Sequence, residues 1–102
     1  MTSRSGLGLS EPHWLIRSTM REVAMHARGP AIAIAKGMLE QIPQFLSVGM
    51  PVEMALRESL LIAIHSAQLS ARHCVGSERH ALDDFIRTCI KMELKTGHLA
   101  KV

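Results

Sequence analysis

A helical segment that is apolar on every side needs a neighbour on every side, and this chain carries one. Leu60, Leu61, Ile62, Ala63 and Ile64 follow one another without a polar interruption. At about 100° per residue, five successive positions go round the whole helix. An ordinary surface helix has one apolar stripe and a polar back. Two arrangements satisfy the exception: the helix lies centrally among its own neighbours, or another subunit covers its outer face. Two-fold dimers are the commonest form of the second, and a dimer is the expectation here.

Helices are also what the composition favours. The chain has seven Met and many Ala and Leu, but only two Phe, one Trp and no Tyr. The first group forms helices well, and the aromatic residues that favour strands are scarce. With 102 residues the chain is one domain by length. A domain of that size buries about 65% of its unfolded surface on folding, which supports a modest core without disulfide or metal.

Glycine and proline divide the chain into four helical spans. Residues 1–9, with Gly6 and Gly8, read as a disordered N-terminal arm. Ser10 stands as an N-cap, with Glu11 and Pro12 suited to a first turn. The first helix then runs to Arg28, where Gly29-Pro30 stops it; its core stripe is Ile16, Met20, Val23 and Ala27. The second opens at Pro30 with Ile34, Met38, Ile42 and Phe45 inward, and Pro43 predicts a kink or a break. The alternation Ala31-Ile32-Ala33-Ile34-Ala35 also fits a strand, but Ala is a poor strand residue and no partner strand is visible. The third helix spans Pro51 to Gly76, with Leu56, Leu60, Ala63, Ala67, Ala71 and Cys74 as its main stripe. Ser77 caps the fourth, whose stripe is Leu82, Phe85, Ile86, Cys89 and Met92, fading at Gly97. Residues 98–102 read as a frayed tail, leaving 10–97 as a single helical domain. Short turns between four helices imply a small antiparallel four-helix bundle.

The formal charge of +3 is mild, and no region is strongly basic: residues 1–28 hold four Arg against two Glu. Charge alone therefore gives little support to nucleic acid or an anionic membrane as partner. No stretch approaches the roughly 20 apolar residues of a membrane span, and the first 18 residues lack the apolar run of a signal peptide. The two Cys lie 15 positions apart with no CxxC, which fits a reducing, cytoplasmic setting.

Residue types that carry chemistry do not assemble into a reactive pattern. Folding helices three and four as a hairpin at Gly76-Ser77 places His73 opposite His80, with Cys74 adjacent, a set of ligand types that suits zinc. The set has no compact motif, and a His near a helix C-terminus is favoured by the helix dipole alone. No metal and no cofactor are expected. Cys89 with His65 makes a conceivable nucleophile and base, but Cys89 falls on the core stripe and no oxyanion donors accompany it. There is no Gly-rich phosphate loop followed by Lys. A non-enzymatic role follows.

Two surfaces remain. Leu61, Ile62, His65 and Leu69 form the outer face of the third helix and are the expected self-association residues. On the first helix His13, Arg17, Arg21 and Arg28 fall in one sector of about 80°, flanked by Trp14. Such a row supplies Arg and Trp anchors to a protein partner or grips phosphates. Trp14, Arg17, Arg21 and Arg28 are taken as the partner-binding set. The reading is a regulatory or adaptor module that binds protein, with nucleic-acid binding through the Arg row as the alternative.

Overall fold

The computed structural model of the chain describes residues 3–101, and the side chains of residues 14–97. Four helices follow in the order α1 (Ser3–Met25), α2 (Ala31–Ser47), α3 (Val52–Ala71) and α4 (Gly76–Lys101), with no strand among the described residues. The protein is an all-α antiparallel bundle. Its two central helices show the direction directly: Arg57 near the start of α3 pairs with Glu93 late in α4 at 3.0 Å, while Arg79 early in α4 reaches the carbonyl of Ala71 at the end of α3. α3 packs most extensively against α4 and next against α2.

The core is the set of stripes that the spacing predicts. Met20 and Val23 from α1, Met38 and Ile42 from α2, Leu56 and Leu60 from α3, and Leu82, Phe85, Cys89 and Met92 from α4 are all buried. Burying one such large side chain contributes about 1.5–3 kcal/mol. α2 adds Ala31 and Ala35, and α3 adds Ala63, Ala67 and Ala71. Small side chains at four-residue spacing let neighbouring helices approach closely. The alternating 31–35 run is therefore helical, with two of its alanines in the core.

Each turn uses a glycine in the left-handed region, at φ 54° for Gly29, 91° for Gly49 and 63° for Gly76. An L side chain there meets its own carbonyl, at a cost of about 1–2 kcal/mol. Gly49 closes α2 most completely: its N–H donates to Leu46 O at 3.1 Å and the Met50 N–H to Phe45 O at 3.1 Å. That pair of bonds is a Schellman motif, which satisfies the last carbonyls of the helix.

The helix ends differ from the sequence reading in several places, and α4 begins at Gly76, one residue before the expected Ser77 cap. α1 starts at Ser3, upstream of Ser10 and within the expected arm; Met1 and Thr2 lie outside the described residues. It stops at Met25 instead of Arg28, because the tight bonds His26 N–H to Val23 O and Ala27 N–H to Ala24 O turn the chain towards Gly29. α3 ends at Ala71 instead of Gly76: three successive i→i−3 bonds, from Arg72, His73 and Cys74, tighten its exit. α4 continues past Gly97 to Lys101. Pro43 does not break α2, which runs through to Ser47. The carbonyl that loses its donor belongs to Leu39, which is 54% exposed, so water can serve it.

Candidate functional site

α3 presents two faces. Taking His65 as the centre and about 100° per residue, Met54, Glu58, Leu61, Ile62, His65, Gln68, Leu69 and Arg72 fall within a sector of about 120°. All eight are exposed. On the opposite side Leu56, Leu60, Ala63, Ala67 and Ala71 are buried. The outer sector thus holds four large apolar side chains, Met54, Leu61, Ile62 and Leu69, at 37–52% exposure. Trp14, Met25, Ile32, Leu39, Val48, Val75, Ile90 and Leu94 are also exposed; they are divided among the other three helices and the turns, with at most two on any one helix. Scattered apolar side chains are normal on a protein surface, whereas a contiguous group marks an interaction site.

Two grooves flank this sector. One of about 390 Å³ is lined by Pro51, Glu53, Met54, Arg57, Glu58 and Leu61. The other, of about 220 Å³, lies between α2 and α3, where Ala33, Gly37 and Ser66 form a low wall beside Ile62. A Cβ added at Gly37 would meet nothing within 4 Å, so that groove is open above the glycine. Among the described residues, neither Glu58 nor Arg72 has an ion-pair partner within 4.0 Å, whereas neighbouring Arg57 is held by Glu93.

All four residues expected to self-associate, Leu61, Ile62, His65 and Leu69, lie in this sector and are exposed in the folded chain. Sequence reasoning missed Met54, Glu58, Gln68 and Arg72, although the same angular spacing places them there.

The α1 surface is partly as expected. Trp14, Arg17 and Arg21 share an outer face opposite Val23, and all three are exposed. Met25, at 69% exposure, joins them from the last turn. Arg28 does not belong to the row. It lies beyond the end of α1, and its guanidinium sits 3.4 Å from Asp84 of α4. This correction has a plain cause: Arg28 lies three residues past Met25, beyond the tight bonds of His26 and Ala27 that take the chain off the helical period. The side chain of His13 lies outside the described residues. The Arg row that a nucleic-acid reading needs is reduced to Arg17 and Arg21. Nearby, His26 Nδ1 donates to the Glu22 carbonyl at 3.1 Å and lies 4.0 Å from the Glu22 carboxylate.

The groups with reactive potential are dispersed. His73 and His80 are exposed and Cys74 is half-buried, and among the described residues no three His, Cys, Asp or Glu side chains converge on a metal-sized site. Cys74 and Cys89 are free thiols. Burial pushes the Cys89 thiol up from 9.0 to about 12. It stays protonated at neutral pH, and a protonated thiol is a poor nucleophile. No described helix is long and apolar enough to cross a membrane.

The chain matches no protein-family model, no curated protein and no solved structure.

Proposed function

We propose that this protein is a small helical interaction module that self-associates through the outer face of α3 and offers the outer face of α1 to a protein partner. One observation carries the reading: Leu61, Ile62 and Leu69 lie together on one sector of α3 and remain 37–44% exposed when the chain is folded. Removing apolar surface from water is the main driving force of protein association, at about 25 cal/mol per Å². Large side chains concentrated on one helix face supply such surface without any rearrangement of the fold. The centre of an α1 contact is Trp14, 60% exposed, beside Arg17 and Arg21. Trp and Arg are the residue types most often found to dominate binding at protein interfaces. A reducing, cytoplasmic compartment fits the two free thiols. The role is non-enzymatic and regulatory.

The test is mass in solution, by sedimentation or light scattering, at about 50 µM, where a dissociation constant near 1 µM leaves most chains paired. The wild type is expected at about twice the 11.2 kDa of one chain. Ile62→Glu, which sets a charge in the middle of the apolar sector, is expected at the mass of one chain with its helix content intact. A monomeric wild type under these conditions removes the proposal.

A further inference from the structure

The outer face of α3 carries opposite charges at its two ends, and they define how two copies fit together. We propose that the second copy lies antiparallel along α3 about a two-fold axis at His65, with Glu58 of each copy against Arg72 of the other. This rests on the self-association reading above.

Glu58 and Arg72 stand seven residues before and after His65. Arg72 is the C-cap just past Ala71 and keeps right-handed helical angles, φ −63° and ψ −22°, so each stands about 10 Å along the helix axis from His65. Both lie within about 20° of the sector's centre, and neither has an intramolecular ion pair within 4.0 Å among the described residues. In an antiparallel pair centred on His65, position i of one copy meets position 130 − i of the other. Glu58 then meets Arg72 twice. A parallel pair would set Glu58 against Glu58 and Arg72 against Arg72, and like charges at an interface select against that orientation.

The apolar residues agree with the same register. Ile62 and Leu69 lie on the side of the sector that faces α2, and their positions sum to within one of the axis value. Leu69 of the second copy therefore arrives beside Ile62, over the groove of about 220 Å³ lined by Ala33, Gly37 and Ser66. The open space above Gly37 gives that side chain room. On the opposite side Leu61 meets Gln68, whose long side chain can lie along it with its amide in water. Arg57 does not compete for Glu58, because Glu93 holds it.

The experiment is a charge exchange on the full chain, read as the dissociation constant of the dimer. Glu58→Arg and Arg72→Glu are each expected to weaken association about tenfold, since each creates two like-charge contacts. The double variant is expected to return to within about threefold of wild type. A double variant no tighter than the product of the single effects overturns the register. Self-association itself then still stands if Ile62→Glu is monomeric and wild type is not. A monomeric wild type removes both. An independent readout guards against a variant that folds poorly. In His65→Cys, residue 65 meets its own copy at the axis, so mild oxidation is expected to give a covalent dimer well above the level that native Cys74 and Cys89 allow. No increase over wild type counts against the axis.

Discussion

Leu60 and Leu61 are adjacent in sequence and identical in chemistry, yet Leu60 is fully buried and Leu61 is 44% exposed. They stand for the two faces of α3. The inner face is built of Leu56 and Leu60 followed by Ala63, Ala67 and Ala71, and it is shaped for close approach by α2 and α4. The outer face is built of longer side chains that stay 37–52% exposed in the folded chain. Apolar character all round a helix therefore has two separate causes here. The inner half builds the fold, and the outer half is spare to it.

Truncation on each face separates these causes most sharply. Leu60→Ala is expected to cost about 2–5 kcal/mol of folding stability, through lost burial and the cavity left behind. Leu61→Ala is expected to cost under about 0.5 kcal/mol in the isolated chain, as for other surface positions. Under the self-association proposal its effect falls instead on the dissociation constant of the proposed dimer. Urea unfolding at a concentration low enough to keep the chain monomeric measures the first pair of numbers. Similar losses for both substitutions would mean that the outer face is covered within one chain.

The next effect comes from the opposite wall of the core. Cys89 of α4 packs into the buried cluster with Leu56 and Leu60. Burial pushes its thiol up from the ordinary 9.0 to about 12 in the folded chain. Between those values the unfolded chain has lost a proton that the folded chain keeps, so stability falls as pH rises, by up to about 1.4 kcal/mol per pH unit. Below pH 9 this contribution is fully present. The chain has no Tyr but carries four Lys and a second Cys, so the Cys89→Ala chain is the reference that isolates this thiol. Urea midpoints at pH 8.5, 9.5 and 10.5 should fall more steeply for wild type than for Cys89→Ala. Parallel curves would show that Cys89 ionises as easily folded as unfolded.

The inner face was legible from sequence and the limits of the outer one were not, for physical reasons that particular residues show. Spacing of three and four found Met20, Val23, Leu56, Leu60, Leu82, Phe85, Cys89 and Met92, because burial in a bundle follows the helical period. The turn positions were legible because Gly29, Gly49 and Gly76 adopt backbone angles that other residues avoid. Arg28 was misplaced because its surroundings depend on where α1 stops and on Asp84, 56 positions away in sequence. Arg57 and Glu58 look equivalent as exposed charges on one helix. Only the packing of α4 shows that Glu93 occupies the first and leaves the second available. Periodicity is a local property; the pairing of a charge is a tertiary one.

Ser59 supplies the smallest effect and the finest test of the inner face. It is fully buried on α3, and its Oγ has no hydrogen-bond partner among the described residues. Thr88 of α4 is also buried, but its hydroxyl donates to the Asp84 carbonyl at 3.1 Å. A buried hydroxyl without a partner loses its bond to water and gains none in return. Alanine at the same position keeps most of the volume, removes the polar atom and has a higher helix propensity. Ser59→Ala is therefore expected to stabilise the chain by about 0.5–1 kcal/mol, read as a higher urea midpoint with an unchanged slope. A loss of similar size would mean that the hydroxyl bonds back to the carbonyl of Ala55 one turn earlier, as helical serines can. The inner face would then be a polar-satisfied surface rather than a purely apolar one.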